Sequence, residues 1–150
     1  MLKRLHAAAG SLALLTLLSF WISTAVAEGF LGWPAVVVVK GAIVNGLFVL
    51  VPAMAVTGVT GAVLSKGRGG GLVAAKTIRM KILAANGVLV MIPAALFLNF
   101  KATANEADAL FFLIQAIELA VGAVQIAFLV KNARDGLRMS GRLSGRRAHV

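Results

Sequence analysis

Long apolar runs, separated by short polar or basic segments, dominate this chain. Four windows, at about residues 7–27, 35–64, 80–100 and 108–130, are apolar for the roughly 20 residues that a helix needs to cross a hydrocarbon core. They take up nearly the whole sequence, so no segment is left for a separate soluble domain. The pattern predicts an all-α membrane protein, a single bundle of four transmembrane helices with a basic tail at residues 131–150.

The second and third windows both carry the pattern Lys-x4-Asn-Gly-x5-Pro-Ala. Because consecutive spans run in opposite directions, the two copies make a candidate inverted repeat. Each proline is expected to kink its helix, since it frees a carbonyl one turn earlier. Each Asn is expected to hydrogen-bond to a neighbouring helix, and each Lys to reach the nearest membrane surface, outside for the first copy and inside for the second. The copies are Lys40, Asn45, Gly46, Pro52 and Ala53, and Lys81, Asn86, Gly87, Pro93 and Ala94.

A polar stripe runs along the fourth window. Its members step by three, four and three residues, so they share one face of an otherwise apolar helix. Glu118 lies roughly 15 Å from the outer end of this helix, where an ionisable group costs about 2.5 kcal/mol unless it faces protein, pairs or takes up a proton. Glu118 is therefore expected to point inward and to hydrogen-bond with Asn45, which lies at a similar depth. Proton or cation handling and a structural role as a protonated donor both stay open. The stripe comprises Gln115, Glu118, Gly122 and Gln125.

Composition agrees with a membrane protein, because 60% of the residues are hydrophobic and 13% are charged. The formal net charge is +10, and thirteen of the 15 Lys and Arg residues fall on one side of the predicted bundle. By the positive-inside rule both termini face the cytoplasm, as in a protein of a bacterial-type inner membrane. Topology and anionic lipid then explain the basic segments, so nucleic acid is not an expected partner.

Residues 1–27 also have the features of a secretory signal. Lys3 and Arg4 precede the apolar run, and Ala25-Val26-Ala27 matches a cleavage site. The apolar run is longer than the roughly 7–15 residues of a signal core, which favours an uncleaved first helix. Cleavage would leave three spans with the same orientation.

His6 and Gly10, one turn apart in the first window, resemble the His-x3-Gly pattern that begins helices of membrane b-type cytochromes. The resemblance covers five residues and implies haem b, with His6 as one axial ligand of the iron. The second ligand would be Met80, at the same membrane side on the third window, or His6 from a second copy of the chain. Arg79 and Lys81 would then pair with the propionates. The alternative is that His6 is an interfacial residue near lipid headgroups.

The chain has no cysteine and two histidines, which leaves no Ser-His-Asp, Cys-His or paired-carboxylate arrangement, so an enzymatic activity is not indicated. Three functions remain. The first is haem b binding with electron transfer, or an accessory membrane subunit. The second is a small transporter coupled to protons or cations through Glu118. The third is a structural or assembly subunit without a ligand. Four short helices enclose little volume, so a homo-oligomer, in the commonest case a twofold dimer, or a larger membrane complex is expected.

Overall fold

Four long helices make up the computed structural model, which describes residues 1–66 and 70–139. All four are long and apolar enough to cross a membrane, and the described residues contain no strand, so the predicted all-α four-helix bundle is confirmed. The third span is interrupted by a short π-helical segment. In chain order the elements are α1 (Leu2–Phe30), α2 (Trp33–Ser65), α3 (Gly71–Asn86), the π-helical segment (Gly87–Met91), α4 (Ile92–Thr103) and α5 (Ala109–Met139).

The helices extend beyond the windows that hydropathy marks. The third span begins at Gly71 instead of about residue 80, and α5 continues past residue 130 to Met139. Charged residues in these extra turns lower the hydropathy, and two of them pair across the bundle, since Arg79 on α3 binds Asp135 on α5. The tail from Ser140 onward, with His149, lies outside the described residues, as do Gly67 to Gly69 of the loop.

The two copies of the repeat differ at their prolines. Pro52 lies inside α2, which continues through it as an α-helix. Pro93 lies in the first turn of α4, directly after the π-helical segment. A proline has no N–H for the carbonyl one turn earlier, and a π-helical turn is one way for a helix to absorb that missing bond. The shared sequence pattern therefore produces two different backbones.

Close packing of α1 against α2 depends on glycine. The ring of Phe20 on α1 covers Gly46 on α2, and a Cβ at this position would overlap the ring. The face of α1 that packs inward is formed mainly by small residues, which allow helices to approach closely when lipid provides no hydrophobic drive for association. The buried residues of this face are Ala9, Ala13, Leu17, Thr24 and Ala27.

The N-terminal end of α5 is fixed by a hydrogen-bonded loop. Asp108 caps the helix, because its carboxylate accepts a bond of 2.9 Å from the Phe111 N–H. Lys101, at the end of α4, lies 2.5 Å from Asp108 and 2.7 Å from Glu106. The hydrogen bond from Lys101, followed by that from Phe111, holds the pKa of Asp108 below its usual value. This cap fixes the residue at which α5 begins, and therefore the depth at which each residue of its polar stripe lies in the bundle.

Replacing Gly46 by Ala tests the close approach of α1 and α2. Gly58→Ala on the same helix is the matched control, because a Cβ there meets no atom within 4 Å. Both changes gain the same helix propensity, so overpacking against Phe20 should leave Gly46→Ala less stable than Gly58→Ala by about 1–3 kcal/mol. The free energy of unfolding in detergent measures the difference. Equal stability of the two variants would show that the helices do not touch at Gly46.

Candidate functional site

Lys40 is one of the largest fully buried side chains among the described residues, with 1% of its surface exposed. Its ammonium donates to the carboxylate of Glu118 at 2.9 Å and to the side-chain oxygen of Gln115, and it lies 3.5 Å from the carboxylate of Glu28. The expectation that Lys40 extends to the outer surface is therefore wrong. The physical reason is that a charge inside a membrane is tolerated when it pairs with opposite charges.

Three helices contribute to this group of side chains, here called the outer site after the orientation that the sequence predicts: Glu28, Lys40, Gln115 and Glu118. Glu28 comes from the last turn of α1, Lys40 from the second turn of α2, and the other two from α5. Glu118 is 7% exposed and points into the bundle, as the stripe predicts. The Glu28 side chain is 17% exposed, so it is the least buried member.

The outer site has an unbalanced charge. When all its groups are ionised, two carboxylates share one ammonium, which leaves one excess negative charge. Inside a bundle with little water such a charge is costly, and uptake of one proton by either carboxyl group removes it.

Several buried polar atoms near the outer site have no hydrogen-bond partner among the described residues. The Gln115 amide nitrogen is one, although its oxygen accepts from Lys40. The amide oxygen of Asn99 is another, and it faces Gly41, the neighbour of Lys40. Free buried donors and acceptors of this kind are the usual partners of internal water. The outer site therefore has the hydrogen-bonding capacity to hold water or a small polar ligand.

The polar stripe of α5 is buried along the whole helix. Beyond Glu118, Gln125 is 5% exposed, and its amide nitrogen is also unpartnered among the described residues. Trp21 of α1 donates to the Leu119 carbonyl at 3.0 Å, and its ring lies 3.2 Å from where a Cβ on Gly122 would be. The stripe continues past the predicted residues to Asn132 and Asp135, which are both buried.

A second polar cluster, the inner cluster, lies at the other end of the stripe. Arg79 of α3 donates to Asn132 at 2.9 Å and pairs with Asp135. Asn132 in turn donates to the sulfur of Met80 at 3.2 Å. These contacts join α3 to α5, so polar groups hold the bundle together at both ends.

His6 binds α2. Its Nδ1 donates to the Thr57 carbonyl at 3.1 Å and to the Thr60 hydroxyl oxygen at 3.0 Å. Because the Thr60 hydroxyl itself donates to the Val56 carbonyl, it can only accept from His6. These bonds place the ring proton on Nδ1 and leave Nε2 with a lone pair in the neutral ring.

The residues expected to hold haem do not fit that group in this arrangement. His6 has Nε2 available, but the sulfur of Met80 and the guanidinium of Arg79 are bonded to α5. Lys81 is exposed. Haem binding by these four residues stays a prediction from the sequence. It requires Met80 and Arg79 to release their hydrogen bonds to α5.

The repeat asparagines do not have the expected partners. Asn45 is exposed, and the predicted bond from Asn45 to Glu118 is wrong, because Lys40 occupies that position. Asn86 is half-buried. In the part of the chain that the structure describes, neither side chain forms a hydrogen bond.

Sequence reasoning missed half of the outer site. Lys40 was expected to reach the outer surface because it lies near a helix end, and Glu28 was not among the predicted site residues. The continuation of the stripe was detectable, since Glu118, Gln125 and Asn132 repeat at intervals of seven residues, which is two helical turns.

Comparison of the chain with protein-family models, with curated proteins and with solved structures finds no match.

Replacing Lys40 by Met tests the outer site, and Lys81→Met is the matched control from the second copy of the repeat. Lys40→Met leaves two buried carboxyls without their cation and should cost about 3–5 kcal/mol of unfolding free energy. Lys81 is exposed, so Lys81→Met should stay within about 0.5 kcal/mol of the unmodified protein. Thermal or denaturant unfolding in detergent measures both. A Lys40→Met protein as stable as Lys81→Met rules out the buried pairing.

Proposed function

We propose that this protein is a small proton- or cation-coupled membrane transporter in which Glu118, together with Glu28 and Lys40, binds and releases the coupling proton. The observation that carries the proposal is the single ammonium of Lys40 between two carboxylates, with one excess negative charge inside the bundle. A purely structural polar contact between helices needs no such imbalance. Ionisable residues inside a membrane bundle mark ion or proton pathways more often than packing alone.

Lys40 links proton binding to a change in helix contacts. When Glu28 is protonated, the ammonium pairs with Glu118 alone, which joins α2 to α5. When Glu118 is protonated, Glu28 becomes the charged partner, and the ion pair joins α2 to α1. Loss or gain of one proton thus changes which helix Lys40 holds. The bundle would then have two states, which differ in the helix that Lys40 binds, and a proton gradient can shift the balance between them.

The α5 stripe provides a polar route from the outer site to the inner cluster. Gln125 lies between the two, and its unpartnered amide can bond to water. Trp21 packs against Gly122 between Glu118 and Gln125, where the methyl of Met91 also lies within 3.6 Å of the position of a Cβ. We take this contact of Trp21, Gly122 and Met91 as the barrier that separates the outer and inner halves of the route.

The orientation that the basic residues indicate supports uptake of the coupling proton from outside the cell. Exposed basic residues lie on the last turns of α5, at Lys131, Arg134 and Arg138, and on the first turn of α1. The positive-inside rule then assigns both termini to the cytoplasm of a bacterial-type inner membrane. In this orientation Glu28 faces the exterior, and the inner cluster faces the cytoplasm.

Proton flux in liposomes tests the proposal. Purified protein reconstituted with an internal pH-sensitive dye should dissipate an imposed pH gradient when a counter-gradient of Na⁺ or K⁺ is present. Glu118→Gln should reduce this flux at least tenfold, because general proton transfer by a positioned group contributes about 10²-fold or more. Glu106→Gln is the matched control, since Glu106 is an exposed loop carboxylate paired with Lys101.

The outcome is decided by the two variants together. Loss of flux in Glu118→Gln with full flux in Glu106→Gln supports proton coupling at the outer site. Full flux in both removes Glu118 from the mechanism. Absence of flux in the unmodified protein under Na⁺, K⁺ and pH gradients alike contradicts the proposed function.

Haem b binding with electron transfer is the competing proposal, supported by the free Nε2 of His6. Because Met80 and Arg79 are bonded to α5, we expect no Soret absorption after haem is added to the detergent-purified protein. An absorption spectrum with stoichiometric haem, lost in His6→Ala, would overturn this expectation and would favour electron transfer.

A further inference from the structure

One exposed face of α2 carries a polar side chain in the middle of the membrane. Asn45 lies twelve residues after the start of α2 at Trp33, which is about 18 Å along the helix axis. It is exposed and has no hydrogen-bond partner among the described residues. The hydrocarbon of a bilayer offers an amide nothing to bond with, so an unpaired Asn at this depth is unfavourable.

The rest of this face is apolar. Exposed residues recur at the helical spacing of seven, three, four and seven, so they form one continuous stripe along α2. Phe48 projects furthest, with 81% of its surface exposed. This stripe, here called the α2 face, consists of Val38, Asn45, Phe48, Pro52 and Val59.

The Asn45 side chain carries both a hydrogen-bond donor and an acceptor, because a carboxamide has an NH₂ group and a carbonyl oxygen. A twofold axis along the membrane normal brings each residue of one copy to the same depth as that residue of the other. Two copies of the α2 face therefore place one Asn45 opposite the other, where the two amides can hydrogen-bond to each other.

The shape of the α2 face is also self-complementary. Beside Phe48 lies an apolar groove of about 350 Å³ between α2 and α4, at the depth of Phe48 itself. Under twofold symmetry, the ring of Phe48 from one copy enters the groove of the other, and the reverse contact forms at the same time. Phe48 forms one wall of the groove, and the other lining residues are Val44, Leu47, Val51, Pro52, Ile92 and Leu96.

We infer that the protein forms a parallel twofold homodimer through the α2 face. The Asn45 amides of the two copies hydrogen-bond to each other, and each Phe48 ring packs into the facing groove. The partner is a second copy of this chain, because the donor, acceptor, projecting ring and groove all lie on one surface. The inference is independent of proton coupling at the outer site, whose residues are buried on other faces of the helices.

Association in lipid tests the dimer. Two fluorescently labelled populations are mixed in proteoliposomes, and energy transfer is followed as lipid dilutes the protein. Asn45→Val keeps the side-chain size but removes both hydrogen bonds, so it should weaken dimerisation about 10- to 100-fold. The unmodified protein should remain dimeric at protein-to-lipid ratios where Asn45→Val has dissociated.

Cross-linking locates the interface, because the chain has no cysteine of its own. Val49→Cys, beside Phe48, should form a disulfide-linked dimer under oxidation. Leu15→Cys is the control, since Leu15 is 63% exposed on α1 at a comparable depth. Both variants keep Asn45. A monomer at all lipid ratios, unchanged association in Asn45→Val, or equal cross-linking at Leu15→Cys and Val49→Cys would each overturn the inference.

Discussion

A buried ammonium organises this bundle. Lys40 lies two turns into α2 with 1% of its surface exposed, and its charge is acceptable there because Glu118, Gln115 and Glu28 surround it. An ion pair in a low-dielectric interior needs exact placement of both partners. This requirement fixes α1, α2 and α5 relative to one another more strictly than the packing of small apolar residues does.

Other features of the fold serve this placement. Gly46 lets α1 approach α2 closely, which brings Glu28 near Lys40. The Asp108 cap sets where α5 begins, and hence the depth of Glu118. At the inner end, Arg79 and Asp135 repeat the principle of pairing opposite charges between helices. Polar contacts direct the assembly, because an apolar helix surface gains little free energy by leaving lipid for other apolar side chains.

The fold class and the orientation of Glu118 were predictable from the sequence, because hydropathy and helical periodicity depend only on the residues of one helix. The partner of Glu118 was not. Lys40 is two turns from a helix end, so its side chain could either reach water or turn into the bundle. The local sequence is compatible with both orientations. The carboxylates on α1 and α5 are what favour the inward one. The repeat was misleading for the same reason: Lys40 is buried and Lys81 exposed, although the surrounding pattern is identical. Tertiary contacts assign these roles, and the pattern alone does not contain them.

The central claim is that Lys40 and Glu118 interact directly inside the membrane bundle. A double-mutant cycle of Lys40→Met and Glu118→Gln, measured as unfolding free energies in detergent or lipid, isolates that interaction. We expect the double variant to be more stable than the sum of the two single effects by about 1.5 kcal/mol or more, as for close charge pairs elsewhere. Additive effects within about 0.5 kcal/mol would mean that the two side chains act independently, and would contradict the account.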